Sequence, residues 1–327
     1  MLLKLTHTTD LTYSEPVSES VMELRMAPLQ SMDQHRLSFQ LSIGPKTQVS
    51  SYFDWLGNTV HAFSVSQFHH QLKIVATSFV ETDRPRPQID KFKDTWPIDT
   101  RGLEYATYDF LQFGGPVVKS DELDKLVAVV KPEAGMPVGE IALRMLYLIA
   151  DSFSYEKGIT TAASPITEAL IHRKGVCQDF THVMIGLARA VGIPARYVSG
   201  LVHPRGARSD GSDAAEFRGA TQTHAWCELL FPKIGWVGFD PTNRCLVEGH
   251  FVKVAVGRDF RDVSPNRGVF RGQADQAIDV TVHSEELAAI PPELAAERYG
   301  AIDIPAYAGA AESRRAFLDH QQQQQQQ

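Results

Sequence analysis

Cysteine is scarce in this 327-residue chain: Cys177, Cys227 and Cys245 make an odd number, and no CxxC pair occurs. That excludes a disulfide framework and a zinc ribbon, and it fits a reducing compartment. Cys227 and Cys245 also lack the two further ligands that a metal would need at useful spacing, so no metal or cofactor is expected. No run reaches the roughly 18 apolar residues of a membrane helix. The start, Met1 to Asp10, lacks the sustained apolar stretch of a signal peptide. The expected location is the cytoplasm, with no membrane partner. Basic residues number 32 against 39 acidic, for a net charge of -7, and no Lys/Arg run is dense enough to track a phosphate backbone. Nucleic acid is not an expected partner. No internal repeat is present.

With 43% hydrophobic residues, the chain can bury one large core or two moderate ones. It is organised around Lys174 to Pro194. There Phe180, Met184, Leu187 and Val191 recur three or four apart, one face of an amphipathic helix. Gly175 opens the segment, and Gly192 before Ile193-Pro194 closes it, because Gly takes the left-handed cap without steric penalty and Pro cannot continue a helix. Cys177 then sits at the first turn, where unpaired N–H groups and the macrodipole favour thiolate over thiol. That is a nucleophile's position, and an imidazolium is the usual partner.

Residues 1–82 read as β. Leu37, Phe39, Leu41 and Ile43 alternate with polar residues, and Gly57-Asn58 reads as a two-residue hairpin loop between Tyr52–Leu56 and Thr59–Val65. Residues 83–100, with prolines at 85, 87 and 97, form a linker or an irregular strap. Helical spacing follows over Gly102–Phe113, Asp121–Lys131 and Val138–Phe153, with Ser120 as an N-cap and Pro137 near a first turn. Ser164-Pro165 starts a short helix. Ala195–Val202 reads as a strand, and the polar stretch His203–Gln222 as a surface excursion or a flap. Thr223–Leu230 and Gly235–Asp240, joined by Phe231–Ile234, form an antiparallel pair. His250–Val256 and Ala277–His283 are the last strands expected; residues 286–327, ending in seven glutamines, form a weakly ordered tail.

The pleat places His224, Trp226 and Glu228 on one face of the first late strand, and Trp236, Gly238 and Asp240 on one face of the second. With His224 and Asp240 on the same side, the aspartate accepts one imidazole N–H and fixes the other nitrogen toward Cys177. The result is a nucleophile, a base and an orienting acceptor. The backbone N–H of Cys177 is the natural oxyanion donor.

Gly175-Val-Cys-Gln-Asp-Phe180 with Ala188-Arg-Ala-Val-Gly-Ile-Pro-Ala-Arg196, then His224-Ala-Trp-Cys-Glu228, then Gly235-Trp-Val-Gly-Phe-Asp-Pro-Thr-Asn243 resemble the transglutaminase-like core of the papain-like cysteine enzymes. Residues 1–80, including Asp54-Trp-Leu-Gly-Asn58, resemble the β module that precedes this core in bacterial members, and Ala255–Asp262 resembles the post-core region. The resemblance implies an α+β fold, with helices packed on an antiparallel sheet over residues 101–285, behind an N-terminal β-sandwich-like module. It carries the catalytic residues of the family onto Cys177, His224 and Asp240. Cys227 departs from the aliphatic residue more usual there.

Trp226, Trp236 and Gln178 are candidate substrate contacts, with core packing the competing reading for both tryptophans. Asp179 reads as a helix-dipole charge, Cys227 and Cys245 as small buried hydrophobes, and His69, His70, His182 and His203 as surface or capping residues. Arg196 with Arg258-Asp259 reads as an internal ion pair, with help in binding a substrate carboxylate as the competing reading. The expected function is thioester acyl transfer on peptide or carboxamide bonds of a protein or peptide substrate, with water as acceptor. The alternatives are a transamidase joining glutamine to amines, and a non-catalytic binding module.

Overall fold

Alternation of apolar and polar residues from Leu3 to Tyr13 dictates a strand with one buried face. In the computed structural model, which describes residues 1–204, 218–292 and 294, β1 runs over Leu2–Val17. It is followed by β2 (Glu19–Leu24), β3 (Gln34–Gly44), β4 (Val49–Phe53), β5 (Thr59–Val65) and β6 (His69–Thr82). β3, β6 and β1 lie in one sheet and β4, β5 and β2 in a second. Their inner faces meet through Leu11, Tyr13, Met22, Leu24, Phe63 and Ile74, so the expected sandwich-like module is present.

The β4–β5 connection differs from the expected two-residue loop. Asp54 Oδ1 accepts the N–H groups of Leu56 (3.0 Å) and Asn58 (2.9 Å), and Gly57 takes a φ of +80°. A side-chain-closed turn has replaced the tight hairpin. Asn58 is thereby buried and grips the backbone of Val256 twice, donating to its carbonyl (2.9 Å) and accepting from its N–H (2.8 Å).

Residues 83–100 are a strap rather than a free linker. Arg84 pairs with Asp33, Trp96 donates its indole N–H to the Val191 carbonyl at 2.7 Å, and Ile89 is buried against Gly139. The helix expected over Gly102–Phe113 is instead two 3-10 turns, Thr100–Gly102 and Tyr105–Leu111. Only Phe110 of the longer turn is buried, too little apolar surface to hold a longer helix against the core.

Next come α1 (Asp121–Val130), α2 (Val138–Ser152), β7 (Ser154–Tyr155), α3 (Ile166–His172), β8 (Lys174–Gly175) and α4 (Cys177–Ala190). Ser120 caps α1 by accepting the Leu123 N–H at 3.2 Å. Gly192, at φ +74°, ends α4 and lets Ile193 N–H reach the Ala188 carbonyl at 2.9 Å. The chain continues through β9 (Ala195–Val202), β10 (His224–Phe231), β11 (Gly235–Asp240), β12 (Cys245–Leu246), β13 (Phe251–Gly257), α5 (Phe260–Val263), β14 (Asn266–Arg271) and β15 (Gln276–Glu286).

β12, β11, β10, β9 and β13 form an antiparallel five-stranded sheet in that order. α4 packs on one face through Phe180, Met184 and Leu187 against Ala225, Cys227, Leu229 and Phe239. Leu201, Val252 and Val254 of the sheet meet Leu3, Leu5 and Val80 of the N-terminal module in a shared cluster. β14, which no periodicity announced, pairs with β2, and β15 pairs with β1 over Leu3–Tyr13. The last strands, read from the sequence as part of the 101–285 core, therefore complete the two N-terminal sheets. Residues 1–289 form one compact unit.

Candidate active site

The turn into α4 sets the position of Cys177. Asp179 is buried, and its Oδ2 accepts the Val176 N–H at 2.7 Å and the Thr160 hydroxyl at 2.7 Å. Burial pushes its pKa up against the hydrogen bonds that favour the charged form. Gly175 permits this arrangement, because a Cβ there would lie 2.5 Å from Asp179 Oδ2. Asp179 is thus a buried clamp on the residue before Cys177, where the sequence suggested a helix-dipole charge. Cys177 opens α4 and is partly exposed. Its N–H is among the first of the helix, which have no intrahelical acceptor.

His224 opens β10, opposite Gly200 of β9. A Cβ at Gly200 would meet the Trp226 ring at 2.3 Å, so the glycine makes room for the indole, whose centroid lies 6.2 Å from that of His224. His224 Nε2 is 2.8 Å from Asp240 Oδ2 with both side chains fully buried. The same carboxylate accepts the N–H groups of Thr242 (2.9 Å) and Asn243 (3.2 Å) on Oδ1 and the Asn243 side-chain amide (2.7 Å) on Oδ2. A carboxylate so surrounded by donors is held in one orientation. Burial opposes charge on His224, but the Asp240 charge and hydrogen bond, together with the Cys177 thiol, outweigh it and raise the imidazole pKa. Nδ1 is buried and no other group among the described residues hydrogen-bonds it, so it is the nitrogen through which the Cys177 thiol acts on the ring.

The structure brings Cys177, His224 and Asp240 together, with the Trp226 indole under His224 and Gln178 next to Cys177. Trp226 is 0% exposed and packs among Val198, Val202, Phe251 and Val256. Trp236 lies under the Arg196 guanidinium (4.3 Å) and edge-on to Phe110 (5.2 Å). It lines a cavity of about 400 Å³ with Arg84, Phe92, Glu228 and Lys253, whose lining includes none of Cys177, His224 and Asp240. Gln178 follows Cys177 and donates its side-chain amide to the Ala162 carbonyl at 3.3 Å.

Arg196 pairs with buried Glu228 (2.6 Å), which also takes Lys253 (2.8 Å). Arg258 pairs with Asp262, and Asp259 with Arg261, each at 2.9 Å. The expected Arg196 to Arg258-Asp259 pairing is therefore replaced by a cross-strand pair, Glu228 standing opposite Arg196 in register. His69 and His182 are buried, bonded respectively to Ser20 and to the Phe260 N–H, rather than at the surface. His70 is exposed and His203 bonds Ser284. Cys227 is buried, which raises its thiol pKa, and Cys245 lies in β12 opposite Asp240.

Of the stretch read as a flap, residues 205–217 lie outside the described residues. Arg218 and Gly219 border the site. A Cβ on Gly219 would sit 2.5 Å from His224 Nδ1, so backbone lies directly against that ring edge. Asn243 holds this segment by accepting the Arg218 N–H (2.9 Å) and donating to its carbonyl (3.2 Å). Neither role was evident from spacing, although Asn243 stands three residues after Asp240, where an amide can bond back to the turn.

Three comparisons bear on the identity of this arrangement. The family description "Transglutaminase-like superfamily" matches residues 126–241, and "Bacterial transglutaminase-like N-terminal region" matches residues 3–81. An uncharacterised protein of Mycobacterium leprae is 31% identical, covering 88% of this chain and 99% of its own. The chain belongs to the transglutaminase-like superfamily. An uncharacterised protein of Mycobacterium tuberculosis is 30% identical, covering 85% of this chain and 91% of its own. A solved structure described as a candidate cysteine protease from Cytophaga hutchinsonii shares the fold, with a TM-score of 0.67, 23% identity, and coverage of 89% and 93% of the two chains.

Proposed function

We propose that this chain is a cysteine-dependent acyl-transfer enzyme that hydrolyses peptide or carboxamide bonds of a protein or peptide substrate. The observation that carries the reading is the commitment of His224 Nε2 to Asp240, which leaves Nδ1 for Cys177 at the start of α4. The Cys177 thiolate attacks the carbonyl carbon, and the Cys177 N–H stabilises the oxyanion. The His224 imidazolium then gives its Nδ1 proton to the leaving nitrogen as the C–N bond breaks. Neutral His224 next takes a proton from water, whose oxygen attacks the thioester. The acid product leaves and the thiolate returns. Proton transfer by such a histidine contributes roughly 10²- to 10⁴-fold.

Water is favoured over an amine acceptor by the charge beside the site. Arg218 would repel an approaching alkylammonium, and Glu156, next to Tyr155, is taken up by Lys174 at 2.8 Å. The test incubates a glutamine-rich protein with an amine-bearing fluorophore and wild type or Cys177→Ala. New peptide N-termini or released ammonia that depend on Cys177 support hydrolysis. Cys177-dependent probe incorporation would make the chain a transamidase. Failure of Cys177 to be alkylated rapidly by iodoacetamide at mildly acidic pH would point to a binding module.

A further inference from the structure

The geometry points to Arg218, with Tyr155, as a specificity-determining pair that receives a substrate carboxylate next to the scissile amide. This inference rests on the catalytic reading of Cys177.

The Arg218 guanidinium lies 5.1 Å over the Tyr155 ring, a stacking that holds the side chain while leaving its in-plane N–H donors available. Burial pushes the Tyr155 phenol pKa up; the Cys177 sulfur adds to that shift and the Arg218 charge opposes it, so all three groups lie in one electrostatic neighbourhood. Tyr155 is set beside the nucleophile by the parallel pairing of β7 with β8, two residues before Cys177, and by its edge-on contact with Phe180 of α4 (6.3 Å). On the other side, Gly219 touches the Nδ1 edge of His224. Arg218 therefore sits on backbone pinned by Asn243, which also bonds Asp240, and is followed by the glycine that lies against the imidazole.

The guanidinium is exposed and has no carboxylate partner among the described residues. The other arginines around the core are mostly matched, Arg196 with Glu228, Arg258 with Asp262 and Arg261 with Asp259. An exposed, stacked, unmatched guanidinium beside a nucleophile is suited to bidentate recognition of a carboxylate. The substrate class is thus an acidic peptide or amide, with the carboxylate supplied by an acidic side chain or a terminal carboxyl group.

The test uses the intact chain and thiol-directed probes. The rate of Cys177 labelling is measured with a short and a long ω-carboxyalkyl maleimide and with their neutral carboxamide counterparts, in wild type, Arg218→Gln and Arg218→Lys. In wild type the carboxylate probe of one length should react faster than its neutral counterpart, by about threefold to fivefold for an exposed pair. That preference should vanish in Arg218→Gln, persist in part in Arg218→Lys, and shrink with added salt. A preference confined to the short probe identifies a terminal carboxylate, and one confined to the long probe an acidic side chain. Equal ratios in wild type and Arg218→Gln at both lengths, or an Arg218→Lys protein no different from Arg218→Gln, would overturn the assignment. Sluggish labelling by the neutral probes in every variant would instead remove the catalytic reading on which it rests.

Discussion

The indole of Trp226 is enclosed beneath the His224 ring, and that placement separates support from substrate contact. Trp226→Ala would open a cavity among Val198, Val202 and Phe251 and should cost about 3–5 kcal/mol of folding stability. Residual folded protein should show a lower kcat, because the floor under His224 is lost, with KM little changed. Denaturant titration and steady-state kinetics check both, and a raised KM at unchanged stability would restore Trp226 as a substrate contact. Residues such as this one are where sequence reading reached its limit. Alternation put Trp226 on the His224 face correctly, but a tryptophan on that face serves equally as floor or as wall. Only the neighbouring Gly200, cleared for its ring, decides. Likewise Arg196 found Glu228 across the sheet, a partner set by strand register and invisible to spacing along the chain.

Elements announced by local signals were legible, and elements fixed by distant partners were not. The helix behind Cys177, with its apolar face and glycine stop, and the β10–β11 pair carry their own periodicity and turns, so the proximity of Cys177, His224 and Asp240 could be read from residues on three short segments. β14 has mixed, largely exposed residues and exists because β2 offers an edge. β15 is aligned along β1 from the opposite end of the chain. β1 and β15 are therefore one structural feature. A chain cut before Gln276 leaves β1 with an uncovered edge over Leu3–Tyr13, and unpaired edges aggregate. Such a truncation should be insoluble or lose its cooperative melt, whereas one ending at Ala289 should melt like the full chain, since residues 1–289 form the compact unit. Thermal unfolding followed by circular dichroism distinguishes them; equal melts for both would mean that the N-terminal sheets close without β15.

For the whole molecule, buried ionisable groups make stability pH-dependent in a direction that can be worked out. Burial lowers the pKa of His182 to about 3 and of His7 to about 4. Unfolded histidines titrate near 6.5. As pH falls below that value the unfolded chain binds two protons that the folded chain refuses, so stability drops, by up to roughly 1.4 kcal/mol per pH unit per histidine. Glu228 acts in the same sense at lower pH. Burial alone would raise its pKa, but Lys253 and Arg196 reverse that and hold it at about 2, so its contribution is present above about 4.5 and is lost as pH falls toward 2. His224 runs the opposite way: its pKa is raised by Asp240 and the Cys177 thiol, so its contribution is complete below 6.5 and declines as pH rises through the folded value. Urea midpoints should therefore fall steadily from neutral pH to pH 4. His182→Gln, which can still accept the Phe260 N–H, should remove part of the histidine-linked slope, which His7, His61 and His203 share. A slope unchanged by that substitution would mean that His182 already carries its proton in the folded protein.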